Sequence, residues 1–387
     1  MRVLTVVDAL RLGGAETLIA QLARVSAAAD LEVSVLSVHG YSPELSRLAP
    51  LLQEAGVEPI YLGASRTLDV MAFLRLVRYI RCAQPDVVHA HLEMAMTMAI
   101  PAAALAGIPA VGTFHTLHQP LNGRALWRER LALEVVTRSK AAIFVSRASL
   151  RSFADRYRQG RRVPASWKVV HNGVDLDYFA KAEPSGVLAT LPPGLSAARL
   201  VTIVARRDDV KGIIHAIRAW PSVVARVPDA KLLLVGGSGT AEQALHSEVS
   251  DLAVEDSVIF TGLRNDIPAI LQASEVVLLP SLDGENLPTV LMEAGGCERP
   301  VVASDVGGVS DIVSDGETGL LTPPGDAAAI ARAVISLLED QALATRLGVA
   351  GRQRMERLFD AKIWARSLRD VYEEAIASHH KPSGRKK

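Results

Sequence analysis

Short apolar runs rich in Val, Ile and Leu alternate with longer amphipathic segments along the whole chain. Such runs are typical of strands that are buried on both faces of a sheet. Twelve strands are predicted, at residues 2–7, 32–38, 58–62, 87–91, 110–115, 141–146, 200–205, 231–235, 258–261, 276–280, 300–304 and 319–322. Helix-length segments separate them, which indicates βαβ units and an α/β fold with doubly wound parallel sheets.

The chain of 387 residues is long enough for two domains. Residues 182–196 are rich in Pro, Gly and Ser and lack periodicity, so we place a linker there. Doubly wound sheets bind ligands at the carboxyl ends of their strands, so two facing domains would form a central cleft. The predicted order is a Rossmann-like domain at 1–180, a linker at 181–197, a second Rossmann-like domain at 198–357, a C-terminal helix at 358–378 and a basic tail at 379–387.

Composition narrows the class of protein. Lys and Arg together number 42, as do Asp and Glu, so no excess of positive charge indicates a nucleic-acid partner. Cys82 and Cys297 lie far apart without metal-binding spacing, which suits a reducing cytosol. The stretch 94–108 is broken by Pro101 and is too short for a membrane span, while residues 1–8 are too short for a signal peptide. We expect a cytoplasmic protein whose contact with a membrane, if any, is peripheral.

Two carboxylates, Glu285 and Glu293, flank a helix start. Pro288 has a fixed φ and no N–H, as the first residue of a helix tolerates, so the helix is predicted to begin near residues 287–289. Free N–H groups in its first turn favour an anion such as phosphate. The carboxylates could bind sugar hydroxyls or stabilise positive charge; the alternative is a solvated loop residue and a helix-surface charge. The predicted ligand-binding residues are Leu287, Thr289, Val290 and Glu293.

Two cations follow a strand of the second half. Arg206 ends the predicted strand 200–205, and Lys211 precedes Gly212 at an expected helix start. An arginine can bind a diphosphate bidentately, and a lysine contributes a mobile point charge. The alternative is a pair of ordinary surface cations.

Glycines and histidines mark further strand ends. Gly13 and Gly14 form a strand-to-helix turn that lets a ligand approach the backbone, and Gly236 opens a loop that lacks the third glycine of a dinucleotide fingerprint. His89 and His91 lack a third ligand at metal-binding spacing, so we interpret them as strand-end residues. His115, which closes the next strand, is the stronger functional candidate, with His118 as its competitor.

The segment Glu285-Asn286-Leu287-Pro288 through Glu293-Ala294 resembles the family-4 glycosyltransferases, which carry Glu-Gly-Phe/Leu-Pro-x-x-x-x-Glu-Ala. The similarity continues through residues 299–308 and 316–323. Asn286 and Ala205 stand where the family commonly has glycine. The resemblance implies a retaining glycosyltransferase with two Rossmann-like domains (GT-B) and a final helix that returns to the first domain.

The implied reaction moves a sugar from a nucleotide-diphosphate donor to a glycan, lipid-linked or small-molecule acceptor in cell-envelope or polysaccharide biosynthesis, without a metal or cofactor. By the same resemblance, His115 and Glu285 contact the donor sugar, Arg206 and Lys211 the diphosphate, and Glu293 the ribose. Gly13 and Gly14 lie close to the donor phosphate and the acceptor, and Gly236 and the Arg264 segment lie beside the nucleotide. Because the base would be held by backbone groups, the sequence does not separate UDP, GDP and ADP donors.

Residues 147–168 are rich in arginine, a composition that usually marks a solvated face. Interfacial helices also combine arginine with aromatic neighbours, here Trp127, Phe153 and Tyr157. If the acceptor is lipid-linked, this surface would rest on an anionic membrane. Two other classes stay open: a sugar-nucleotide epimerase, which would need no acceptor, and a non-catalytic nucleotide-binding subunit. A nicotinamide dehydrogenase is the weakest alternative.

Overall fold

The computed structural model describes residues 1–11, 13–64, 69–117, 123–181, 183, 191, 195 and 198–380. Three predictions lie wholly or largely outside these residues: His118, the linker at 181–197 and the tail at 379–387. The chain divides into two compact units. The first contains the described parts of residues 1–173 and 361–387, and the second those of residues 174–360.

The first unit is built on a parallel sheet. Its strands are β1 Arg2–Val7, β2 Glu32–His39, β3 Ile60–Ala64, β4 Val87–His91, β5 Ala110–Phe114, β6 Ala141–Phe144 and β7 Trp167–Val169. Within the described residues these form a seven-stranded sheet in the order β3-β2-β1-β4-β5-β6-β7. Its helices are α1 Gly14–Val25, α2 Ala49–Glu54, α3 Val70–Ala83, α4 Glu93–Ala106, α5 Gly123–Thr137, α6 Arg147–Arg158 and the C-terminal helix Ala361–His380.

Alternating side chains of this sheet enter two cores. Leu4 and Val6 of β1 pack with buried residues of α3 and α4, whereas Val3 and Val7 pack with α1 and the C-terminal helix. Burial on both faces explains why the strands are continuous apolar runs.

The second unit repeats this architecture. Its strands are β8 Arg199–Val204, β9 Ala230–Val235, β10 Val258–Gly262, β11 Val276–Leu279, β12 Val301–Ser304 and β13 Leu320–Thr322. In the described part they form a six-stranded parallel sheet in the order β10-β9-β8-β11-β12-β13. Its helices are α7 Leu176–Ala180, α8 Ile213–Arg226, α9 Glu242–Asp251, α10 Ile267–Ala273, α11 Thr289–Gly296, α12 Val309–Ile312, α13 Ala327–Glu339 and α14 Gln341–Leu358.

The predicted strands are all present, with ends within two residues of those expected. Strand β7 was not predicted, because three residues at the edge of a sheet carry no readable period. The strand order reverses between β1 and β4 in the first unit and between β8 and β11 in the second. Ligands of doubly wound sheets bind at the carboxyl ends of strands at such reversals. No helix in the described parts of the chain is both long and apolar enough to cross a bilayer.

Candidate active site

Lys211, Ser281 and Glu285 meet at the reversal point of the second sheet. The Nζ atom of Lys211 lies 2.6 Å from Oε1 of Glu285, and the Ser281 hydroxyl donates to the same oxygen at 2.6 Å. Glu285 is only 5% exposed. A buried carboxylate needs such donors to offset its lost hydration, so this cluster holds Glu285 in one place. The sequence prediction that these two charges share a site is consistent with this geometry.

Neighbouring arginines after β8 differ in their surroundings. The side chain of Arg206 is 72% exposed and pairs with Asp208. Arg207 is buried; it pairs with Glu242 and donates to the carbonyl of Gly236 at 2.7 Å. Arg207 therefore supports the loop after β9, while the Arg206 guanidinium remains accessible to an anion. Sequence inspection missed Arg207, because adjacent arginines at a strand end look alike.

Helix α11 begins at Thr289, within the predicted range. Pro288 precedes the first helical residue instead of occupying that position, which corrects the sequence interpretation. No described side chain caps this helix start, so its first N–H groups remain suited to an anion. Leu287 and Val290 are buried, and any contact that they make with a ligand would therefore use their backbone groups.

The loop after β9 requires glycine. Gly236 has a φ of 146°, and a Cβ there would lie 2.0 Å from the carbonyl oxygen of Ala205. The guanidinium of Arg264 forms a bidentate pair with Asp266, at 2.9 and 2.6 Å. That pair occupies the Arg264 side chain. Contact of this segment with a nucleotide through its backbone stays a prediction.

The first unit has a cavity of about 320 Å³ at the reversal point between β1 and β4. Its lining includes Asp8, Glu16, His39, Glu93, His115 and Arg128. Asp8 follows β1 and caps α4, since its carboxylate accepts hydrogen bonds from the amides of Ala95 at 2.6 Å and Met94 at 3.3 Å. Burial raises the pKa of Asp8 to about 6. Carboxylates and a guanidinium around one cavity suit a ligand rich in hydroxyl groups.

The cavity-lining Glu16 lies beside the glycine turn. Gly13 is the N-cap of α1, in extended conformation, and Gly14 is the first helical residue. A Cβ on Gly13 would lie 2.6 Å from Oε2 of Glu16, whereas one on Gly14 would meet open space. Burial raises the pKa of Glu16. The Glu16 carboxylate thus covers the turn at which the sequence predicts a donor phosphate, and that contact stays a prediction.

His115 lines the cavity, but His89 does not. His89 is fully buried and lies 2.7 Å from the hydroxyl of Tyr372 and 2.6 Å from that of Thr113. It is therefore a core residue, which corrects its interpretation as a strand-end residue. Burial lowers the pKa of His115 to about 4, so its imidazole is neutral at pH 7 and suited to hydrogen bonding. No group of three or more His, Cys, Asp or Glu in the described residues is arranged to hold a metal ion.

Comparison with known proteins assigns both units. The family model "Glycosyltransferase Family 4" matches residues 12–178, and "Glycosyl transferases group 1" matches residues 196–354. The phosphatidyl-myo-inositol mannosyltransferase of Mycobacterium tuberculosis is 30% identical over 383 residues, which cover 95% of this chain and 94% of that protein. The chain belongs to glycosyltransferase family 4. The prediction of a retaining glycosyltransferase that uses a nucleotide-sugar donor is confirmed.

One further relative of this family-4 glycosyltransferase and one solved structure are informative. The GDP-mannose-dependent alpha-(1-6)-phosphatidylinositol monomannoside mannosyltransferase of Mycolicibacterium smegmatis is 36% identical over 217 residues, covering 54% of this chain and 56% of that protein. The Anabaena protein Alr3699/HepE, solved with UDP and glucose, superposes with a TM-score of 0.82 at 23% identity, covering 96% of this chain and 99% of that structure. The second likeness shows the fold, and the GT-B prediction is confirmed.

Glu293 of the glycosyltransferase gives a prediction about pH. Burial raises its pKa to about 7, against the effect of a hydrogen bond from Thr289. Because the folded pKa exceeds the unfolded one, the folded protein binds more protons than the unfolded chain, and Glu293 lowers stability as pH rises from about 4.5 to 7. Chemical denaturation should find Glu293→Gln equal to the wild type at pH 4.5 and more stable at pH 8.

Glu242 provides the contrast for that measurement. The hydrogen bond from Arg207 lowers its pKa, so the ionised form is favoured by folding and Glu242→Gln should lose stability relative to the wild type as pH rises. If both variants changed with pH in the same direction, burial would not be what distinguishes Glu293.

Leu92 of the glycosyltransferase has an unusual backbone. Its φ of 71° and ψ of 165°, between β4 and α4, fall in a region that is essentially restricted to glycine. Leu92→Gly should therefore be more stable than Leu92→Ala by about 1 to 2 kcal/mol. At Leu105, inside α4, the order should reverse, because glycine is disfavoured within helices. Denaturation midpoints of the four variants test this, and the same order at both positions would contradict the strain at Leu92.

Proposed function

We propose that this glycosyltransferase transfers a mannosyl group from GDP-mannose to a hydroxyl of an inositol phospholipid, with retention at the anomeric carbon. The observation that carries this proposal is the 30% identity, over nearly the full length of both chains, to a phosphatidyl-myo-inositol mannosyltransferase. The shorter match to a GDP-mannose-dependent enzyme supports the same donor.

The cluster in the second unit suits departure of the nucleotide. In the proposed reaction the bond between the anomeric carbon and the β-phosphate oxygen breaks, and the acceptor oxygen bonds to that carbon from the same face. The acceptor proton passes to the departing phosphate. Arg206, Lys211 and the first amides of α11 would stabilise the negative charge that develops on the diphosphate. Glu285, already fixed by Lys211 and Ser281, would bind hydroxyls of the donor sugar.

The cavity in the first unit suits the acceptor. Asp8, Glu16 and Glu93 can accept hydrogen bonds from inositol hydroxyls, and Arg11 and Arg128 supply positive charge beside them. An acceptor with both hydroxyl groups and a phosphodiester would use both kinds of side chain. His115 lies in the same lining, where it would contact the donor sugar.

A lipid acceptor requires a membrane contact, and the residues first considered for it do not fit. Phe153 of α6 is fully buried, and Tyr157 donates its hydroxyl hydrogen to Glu129. These aromatic side chains belong to the core, so the arginines of 147–168 lack the apolar neighbours that were expected beside them. Trp127, at 50% exposure, remains on the surface.

Helix α3 offers a better membrane surface. Val70, Met71 and Leu74 are 66%, 64% and 54% exposed in its first half, and Arg75, Arg78 and Arg81 follow. The helix contains no acidic residue. The helix comes after the carboxyl end of β3. There the carbonyl oxygen of Ala64 lies 3.3 Å from Nδ1 of His39, which lines the cavity. Exposed apolar residues with arginines on one helix suit an anionic bilayer.

Vesicle binding tests this surface. Met71→Ser/Leu74→Ser and Arg75→Ala/Arg78→Ala should each lower partitioning onto phosphatidylglycerol vesicles by on the order of tenfold at low salt. Arg151→Ala/Arg156→Ala on α6 is the matched control and should bind like the wild type. Loss of binding in the α6 variant alone would return the contact to residues 147–168.

Activity assays test the proposed function directly. The full chain would be incubated with GDP-mannose, UDP-glucose or ADP-glucose and with vesicles that contain phosphatidylinositol. We expect glycolipid product from GDP-mannose, with the anomeric configuration of the donor in its NMR spectrum. The proposal would be overturned by transfer from UDP-glucose or ADP-glucose but not from GDP-mannose. Conversion of the nucleotide sugar without an acceptor would also overturn it.

A further inference from the structure

Two histidines from neighbouring strands bond to each other beside the cavity. Nδ1 of His91, at the end of β4, lies 2.8 Å from Nε2 of His115, which follows β5. The two rings are nearly parallel, at 25°, with centroids 5.1 Å apart. His91 is only 2% exposed. A side chain anchored on a buried strand therefore holds one that lines the cavity.

A second histidine ring packs against His91. The His91 ring lies against that of His89, with centroids 3.9 Å apart. His89 is fixed by Tyr372 at 2.7 Å and by Thr113 at 2.6 Å. The C-terminal helix, through Tyr372, thus takes part in fixing the ring that contacts His115.

The unused ring nitrogens decide where the protons lie. Nε2 of His91 and Nδ1 of His115 are buried and have no hydrogen-bond partner among the described residues. A neutral imidazole has one N–H, so a single proton lies between the two rings. If His115 donated it, the N–H of His91 would be on Nε2, buried without an acceptor. If His91 donates it, the remaining N–H lies on Nδ1 of His115, which lines the cavity and can meet a ligand oxygen there, whereas His91 does not line it. A buried donor without an acceptor is costly, so Nδ1 of His91 is the donor.

We propose that His91 is a positioning residue that donates from Nδ1 to Nε2 of His115, fixing His115 as the Nδ1–H tautomer and keeping that N–H for an oxygen of the bound sugar. Only the identity of this ligand rests on the proposed function. The unpartnered N–H carries a free-energy cost until a ligand oxygen accepts it. Burial lowers the pKa of His91 and His115, so both rings stay neutral while this bond operates.

Nitrogen-15 NMR of labelled full-length protein tests the bond without any substrate. The His115 signals, assigned by their loss in His115→Asn, should show one Nδ1–H tautomer from pH 5.5 to 8. In His91→Phe, which keeps a ring but lacks the donor, they should change to a mixture of tautomers. An Nε2–H tautomer in the wild type, or unchanged signals in His91→Phe, would overturn the assignment.

Kinetics test the consequence. We expect His91→Phe to lower kcat by on the order of 10- to 100-fold, with donor KM nearly unchanged, because a displaced contact reduces rate more than affinity. His91→Asn, whose amide can donate, should recover most of the loss. Trp220→Phe is the control; it removes a buried hydrogen bond to Ser257 in the second unit, and it should lower the denaturation midpoint but preserve kcat and the tautomer. Wild-type kcat in His91→Phe, or no recovery in His91→Asn, would contradict the role. Failure of the proposed function would differ, since the wild type itself would not transfer mannose.

Discussion

Replacing Lys211 by alanine is expected to lower kcat by about 10²- to 10³-fold, the range typical for loss of one charge-stabilising group in an active site. Two effects combine. In the proposed mechanism the diphosphate loses a cation, and the buried Glu285 loses the ammonium group 2.6 Å from its Oε1, so Glu285 would no longer be held for contact with the donor sugar. Steady-state transfer from GDP-mannose, with circular dichroism to verify folding, measures the loss.

A second lysine of the same unit serves as the control. Nζ of Lys231 donates to the backbone carbonyl of Asp256 at 2.8 Å, away from the Glu285 cluster, and Lys231→Ala should keep wild-type kcat. The double variant Lys211→Ala/Glu285→Gln tests whether the two side chains stabilise the fold as a pair. If the pair matters for stability, the double variant should be less destabilised than the sum of the single variants. Equal activity of Lys211→Ala and Lys231→Ala would remove Lys211 from the proposed mechanism.

The architecture could be predicted from sequence because both faces of each sheet are buried. Burial leaves strands such as β1 and β11 as uninterrupted runs of apolar residues, and the helix-length spacing between runs allows little besides parallel βαβ order. The contact of Lys211 with Glu285 has the same cause. Parallel strands bring their carboxyl ends to one edge, so residues distant in sequence become neighbours in the fold.

Features that depend on tertiary packing were not accessible in this way. Arg206 and Arg207 are adjacent and chemically identical. Arg207 nevertheless donates to the carbonyl of Gly236 in the loop after β9, whereas Arg206 remains exposed. Sequence analysis considered residues 147–168 for a membrane contact and did not consider α3, because sequence does not show that Phe153 faces the core while Met71 faces solvent. The bond between His91 and His115 depends on the register of β4 against β5, which spacing alone does not fix.

Gly212 follows the loop that carries Arg206 and Lys211, and it packs closely against the residue after β11. Its φ is 61°, and a Cβ at this position would lie 2.2 Å from the carbonyl oxygen of Pro280. The amide of Leu282 donates to the carbonyl of Val210 at 2.8 Å, so the two loops are held together through their backbones. Ser281, which donates to Glu285, lies between those contacts. A methyl group on residue 212 cannot be accommodated by rotating a side chain, because the atom it meets belongs to the backbone.

Gly212→Ala should therefore affect stability and catalysis together, and Gly262 supplies a matched comparison. Gly262 has a similar φ of 73°, but a Cβ there would have no atom within 4 Å. Left-handed backbone alone should cost Gly262→Ala about 1 to 2 kcal/mol, whereas the added backbone clash should bring Gly212→Ala to about 3 kcal/mol or more. Displacement of Ser281 should also lower kcat of Gly212→Ala by on the order of 100-fold. Denaturation midpoints and transfer rates of both variants test this, and equal losses would mean that the approach of Gly212 to Pro280 does not hold the Lys211–Glu285 pair in place.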